Sequence, residues 1–196
     1  MRLSIFVLLV CGLLVLAVPQ AAAQDYAEVF GGYSFAHQQF PVVTTIACPG
    51  PPCPQTISTF KPNMNGWEVA ATFKPGKWFG LTGDVSAHYG TVRQSSAHMQ
   101  NYLFGPKLAY PGSVSPFFHA LVGASHQTVG SGVTSNGVIT VPTSRTSVAA
   151  VLGVGIDIKL APFIAFRPIQ FDYLLTRFTD STQSNARVSA GLVIRF

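Results

Sequence analysis

The sequence predicts an all-β fold, an eight-stranded antiparallel up-and-down transmembrane β-barrel. Three observations carry the prediction. Eight segments alternate apolar with polar or small residues at period two, the pattern of strands with two chemically different faces. The connections between them alternate between short turn-forming links and long ones. The last segment, 186–196, places Val188, Ala190, Leu192, Ile194 and Phe196 at alternate positions, with Val193 as the one break in the pattern. Its eleven residues match the roughly 9–11 that a tilted strand needs to cross a bilayer's hydrocarbon core.

In chain order, the first element is not part of the barrel. Met1-Arg2-Leu3 gives a basic start, residues 4–18 are almost wholly apolar, and Ala21-Ala22-Ala23 before Gln24 has the small-x-small form of a signal-peptidase site. The run is shorter than the roughly 20 residues of a spanning helix, so residues 1–23 are expected to be a cleaved signal peptide and 24–196 the barrel domain. Cys11 sits inside the apolar run instead of following a small residue at its end, which argues against lipoprotein processing.

The strands then follow. Segment 25–36 sets Val29, Gly31, Tyr33 and Phe35 against Glu28, Gly32 and Ser34, and 66–74 sets Trp67, Val69, Ala71 and Phe73 against Glu68, Ala70, Thr72 and Lys74. In 78–89, Phe79, Leu81, Val85, Ala87 and Tyr89 oppose Thr82, Asp84, Ser86 and His88. Segment 101–110 turns Tyr102, Phe104, Leu108 and Tyr110 outward and Lys107 inward. His119, Gly123 and Ser125 oppose Phe118, Ala120, Val122 and Ala124 in 116–126. The sixth segment alternates Val148 through Ile158 with Gly153, Gly155, Asp157 and Lys159; the seventh spans 163–177 and the eighth is terminal.

Links 75–77, 111–115 and 161–162 are short and carry turn residues, whereas 37–65, 90–100, 127–145 and 178–185 are expected to be long loops. Pro106 and Pro168 fall inside strands, where a closed barrel offers no free edge for a missing N–H. Facing also slips near Pro168, since Ala165, Arg167, Gln170 and Asp172 all fit inward. A one-residue bulge there restores the register.

Composition agrees. Charged residues make up 10% of the chain, against roughly 25% in soluble domains. Removing 1–23 takes away Arg2 and leaves 11 basic against 7 acidic residues, a net +4 scattered along the chain. Scattered charge of this kind does not make a nucleic-acid stripe.

The inward positions gather Glu28, Glu68, Asp84, Asp157 and Asp172 with Lys107, Arg167, Arg187 and Arg195. Eight strands leave a lumen that side chains fill, so these charges must pair or keep water. The structural reading is a polar plug; the functional one is an active site or ion pathway. No catalytic constellation is expected. His119 and Ser125 lie about 20 Å apart along one strand, too far for a nucleophile and its base. The five histidines show no metal-ligand spacing, and no metal or cofactor is expected. Cys48 and Cys53 flank Pro49-Gly50-Pro51-Pro52 in the longest loop, and an exported, oxidising setting favours a disulfide between them over a zinc site lacking further ligands.

Ser189, Gly191, Ile194 and Phe196 resemble the terminal assembly signal of bacterial outer-membrane barrels. With Glu28-Val29-Phe30-Gly31-Gly32-Tyr33-Ser34, Tyr102-Leu103-Phe104-Gly105-Pro106-Lys107 and Arg167-Pro168-Ile169-Gln170-Phe171-Asp172-Tyr173, residues 24–196 resemble the barrel domain of the outer membrane protein A family. The resemblance implies an outer-membrane barrel in contact with outer-membrane lipid, with its C-terminal strand read by the barrel-assembly machinery. With the chain ending at Phe196, no wall-binding domain is expected after the barrel. Family members serve as structural barrels, adhesins or narrow conductors. The expected role is structural or surface interaction through external loops, with an unidentified loop partner and no nucleic acid. The alternatives are a narrow channel, a rim-active barrel enzyme, or a soluble lipocalin-like barrel. Inward polar and outward apolar faces oppose the last.

Overall fold

The structure is a computed structural model, and it describes residues 26–46, 55–92, 95–133, 138–140, 142–178 and 181–196. The expected signal peptide and Cys48 and Cys53 lie outside the described residues. Twelve strands form: β1 (Ala27–His37), β2 (Phe40–Ile46), β3 (Gln55–Phe60), β4 (Asn63–Phe73), β5 (Phe79–Val92), β6 (Ser95–Ala109), β7 (Val114–Val129), β8 (Gly132–Val133), β9 (Val138–Thr140), β10 (Thr143–Ala161), β11 (Ile164–Phe178) and β12 (Ser181–Arg195).

Eight of them close a barrel in the order β1-β12-β11-β10-β7-β6-β5-β4, with every neighbouring pair antiparallel. Closure comes from β1 pairing with β12, from Glu28 opposite Arg195 to His37 opposite Ala186. Backbone bonds between Ala27 and Phe196 finish that seam. No edge is left open, which a spanning sheet requires because lipid offers no hydrogen bonds.

Alternation fixes the two faces. Tyr33, Trp67, Phe104, Leu152 and Leu192 point out and are exposed, whereas Glu28, Glu68, Asp84, Asp157, Asp172 and Arg187 point in and are buried. Ala87 keeps outward parity yet is buried, with Trp67 and Gln100 beside it on the two flanking strands. At the end carrying the short turns, Trp78 packs edge-on against Tyr110 at 5.0 Å between ring centroids. Such aromatics suit a membrane–water boundary.

The strands are longer than the sequence pattern indicated, and two expected loops are corrected. Most of 90–100 and 178–185 is strand, because β5 continues to Val92, β6 starts at Ser95, β11 reaches Phe178 and β12 starts at Ser181. Those stretches carry no apolar outward row, the pattern of barrel wall outside the apolar band. The other two loop regions hold structure of their own. β2 and β3 form a hairpin, β9 pairs with β2 through Thr44 opposite Thr140, and the order β3-β2-β9-β8 makes a second sheet joining the first and third loops.

The two prolines behave differently. Near Pro168 the register shifts on both sides of β11, between Arg167 and Gln170 against β12 and opposite Ile156–Ile158 of β10. This is a bulge, and it turns Arg167 and Gln170 both inward. At Pro106 the β6–β7 ladder pauses after Phe104 opposite Val122 and resumes in the same register at Lys107 opposite His119.

Candidate functional site

Among the described residues the buried charges gather in the lumen, where they sort into two tiers. Nearer the turn end, Glu28 is ion-paired to Lys74 and Lys107, with Arg195 at 3.7 Å. Asp157 takes a two-pronged bond from Arg167, Nε to Oδ1 at 2.7 Å and Nη2 to Oδ2 at 3.0 Å. Lys107 and Arg195 flank it at 3.8 and 3.7 Å. Arg167 lies between the rings of Phe30 and Phe117, 4.2 and 4.3 Å from their centroids, and Lys107 sits 4.1 Å over Phe117. The rings offer their negative faces to these cations while excluding water.

Deeper, Arg187 is fully buried and gathers three carboxylates. Its Nε donates to Asp172 at 2.7 Å, Nη1 and Nη2 donate to Asp84 at 3.1 Å each, and Glu68 lies 3.5 Å away. Nη1 also donates to Ser86 Oγ at 2.9 Å. A planar guanidinium can satisfy several acceptors at once, which a lysine cannot match. His119 Nε2 contacts Asp172 Oδ1 at 2.8 Å, and Ser189 donates to Glu68 at 2.5 Å. Gln170 joins the tiers: its Oε1 accepts from Arg167, and its Nε2 donates to Glu68 and Asp172. Gly153 leaves room for this junction, since a Cβ there would lie 2.0 Å from Asp172 Oδ1 and 2.2 Å from His119 Nε2.

Every acidic or basic lumen residue expected from alternation is buried in this network: Glu28, Glu68, Asp84, Lys107, Asp157, Arg167, Asp172, Arg187 and Arg195. Lys74, His119, Gln170 and Ser86 join it beside Ser189. All four stand at inward parity, but only three-dimensional proximity shows which acid each one meets. His88 does not pair with Asp84; its Nε2 contacts Ser34 Oγ at 2.8 Å. Of the terminal-strand residues, Ser189 points inward, Ile194 is exposed on the outer face, and Phe196 closes the seam with Ala27. Gly191 lies against β1, where a Cβ would be 2.2 Å from Gly31 O.

Toward the loop end the interior is mixed, with an apolar cluster set among buried polar side chains such as Gln38, Ser95, Asn101, Gln127, Gln183 and Asn185. Met64, Met99, Leu103, Leu121, Val151 and Leu174 pack together, and Phe40 at the start of β2 packs into the same cluster, fully buried, with Phe60 against it. Phe40 sits in a stretch the sequence pattern treated as loop, so no alternation marked it. At the turn end the lumen instead widens into an open vestibule of about 470 Å³, bordered by Glu28, Asp157, Lys74, Lys77, Lys159 and Arg195. Among the described residues no group of three or more His, Cys, Asp or Glu side chains has metal-binding geometry.

Comparison with known proteins places this geometry. The chain is similar in structure to neisserial surface protein A, at 10% identity and a TM-score of 0.63 over 89% of this chain and 100% of that one. It is similar to the attachment invasion locus protein of Yersinia pestis, at 13% identity and a TM-score of 0.57 over 89% and 100%. The N-terminal β-barrel domain of Pseudomonas aeruginosa OprF matches at 8% identity and a TM-score of 0.51 over 88% and 98%. At these identities the likeness speaks to fold alone. No curated protein sequence matches the chain significantly. The sequence profile of the outer membrane protein beta-barrel domain matches residues 8–196. A closed eight-stranded antiparallel barrel with a lipid-facing apolar wall, matched to that profile over nearly its whole length, makes this chain a member of the outer membrane protein beta-barrel domain family.

Proposed function

We propose that this outer-membrane barrel is a closed, non-enzymatic scaffold that meets its partner through the structured outer loops. The observation that carries the reading is the filling of the lumen. An ion-paired network occupies the half nearer the short turns, the periplasmic half on this reading, and an apolar cluster containing Phe40 helps fill the half nearer the long loops, the outer half. The β3-β2-β9-β8 sheet then presents a folded surface above the membrane. On this reading residues 1–23 are cleaved during export, Cys48 and Cys53 form a disulfide between β2 and β3, and Ser189, Gly191, Ile194 and Phe196 are read by the assembly machinery. The tiers use their polar groups on one another, which supports a structural role for them over a catalytic one. The test is single-channel recording on the mature chain in a planar bilayer. The expected result is little or no steady current. A large, steady conductance would make the protein a channel and defeat the proposal.

A further inference from the structure

We propose that the periplasmic vestibule binds a phosphate-class anion. The lumen charges balance as a whole, yet not tier by tier. Five acids (Glu28, Glu68, Asp84, Asp157, Asp172) meet five bases (Lys74, Lys107, Arg167, Arg187, Arg195). The deep tier holds three of the acids around Arg187 alone. The periplasmic tier therefore holds two acids and four bases.

Two further cations stand at the same mouth. Lys77, on the turn before Trp78, and Lys159, near the end of β10, are exposed vestibule residues, and neither has an acidic partner among the described residues. Of the residues that border the vestibule, four are cations (Lys74, Lys77, Lys159, Arg195) and two are carboxylates (Glu28, Asp157), an excess of two backed by the buried Lys107 and Arg167. The carboxylate-bearing Asp25 lies outside the described residues, and the C-terminal residue Phe196 is not among the lining residues.

The space is a built cavity. Its volume of about 470 Å³ falls in the ordinary range of ligand pockets. Arg195, nearly fully buried in its wall, has an Nε that makes no hydrogen bond, its nearest acid, Glu28, lying at 3.7 Å. Lysines supply point charges and an arginine supplies a planar fork, the pairing that suits a phosphate's several oxygens. Glu28 and Asp157 already engage the inner cations, so an arriving anion meets the exposed Lys77 and Lys159 first, with the buried Arg195 behind them. The anion is a free phosphate group or the headgroup of an anionic lipid in the inner leaflet, and the chemistry is shared.

The experiment uses the folded mature chain in a phosphate-free detergent and follows its thermal unfolding midpoint. One arm titrates sodium phosphate against sodium chloride at matched ionic strength. A second arm compares nanodiscs of phosphatidylglycerol with nanodiscs of phosphatidylcholine. Each arm is repeated on K77Q/K159Q, whose altered residues are exposed and unpaired. A saturable rise specific to phosphate, weakened about tenfold in the double variant, supports the site with free anion as its source. A rise only with phosphatidylglycerol, lost in the double variant, supports it with lipid as the source. A phosphate response equal to that of chloride together with no lipid difference overturns the proposal, and so does a response that K77Q/K159Q leaves intact.

Discussion

Arg187 shows what a single residue must do in a lumen without bulk water. It is fully buried, and Asp84, Asp172 and Glu68 all depend on it. Removing one partner of a buried ion pair costs far more than the pair itself contributes, because the remaining charges lose their compensation. Arg187→Ala should therefore destabilise the barrel by about 3–5 kcal/mol, read from urea unfolding in lipid vesicles. Arg187→Lys keeps the charge but not the fork, and should recover only part of that loss. If Arg187→Ala unfolds at the wild-type urea concentration, the guanidinium does not hold this tier together.

At the scale of the strand, alternation decides everything, and neighbouring residues should answer oppositely. Leu81 of β5 faces lipid, while Thr82 faces the lumen and hydrogen-bonds Thr72 at 2.9 Å. Leu81→Arg should cost roughly 2–4 kcal/mol if it lies near the bilayer midplane. An unchanged unfolding curve for Leu81→Arg would reverse the facing of β5. The closing seam makes a different demand. β12 approaches β1 so closely at Gly191 that a Cβ would meet Gly31 O at 2.2 Å. Gly191→Val should lower stability by about 1–3 kcal/mol through overpacking, and should reduce the folded fraction recovered in vesicles. The same seam gives the terminal residues a structural task, so deletion of Phe196 should lower the amount of protein in the outer membrane while leaving export intact. Cell fractionation checks both halves of that expectation.

For the whole molecule, the proposed closed lumen rests on two fillings of unlike chemistry. At the turn end the filling is a hydrogen-bonded charge network, and at the loop end it is an apolar cluster among buried polar side chains, with Phe40 brought in from the second sheet. Removing either should leave the other in place. Phe40→Ala and Arg187→Ala should each stay electrically silent in planar bilayers, whereas the double variant should show frequent small openings. Steady conductance from either single variant would mean that one seal does all the closing.

The sequence by itself determined the barrel. Period-two alternation gave the eight barrel strands, the inward facing of the named lumen charges and the irregularity at Pro168, because a strand's side-chain direction is a local property that needs no knowledge of its neighbours. Net neutrality of the lumen was also nearly legible, since inward acids and bases could be counted with only Lys74 left out of the tally. What the sequence withheld was pairing across the barrel. Arg187 meets Asp84 across 103 residues, and Gln170 meets Glu68 across 102. Such partners depend on the shear and closure of the whole sheet. The second sheet and the burial of Phe40 were hidden for a related reason: outside the lipid, no apolar row is needed to mark a strand, so structure there is set by contacts between distant loops. Only closure of the barrel decided that three acids share one arginine while the tier nearer the short turns holds more bases than acids.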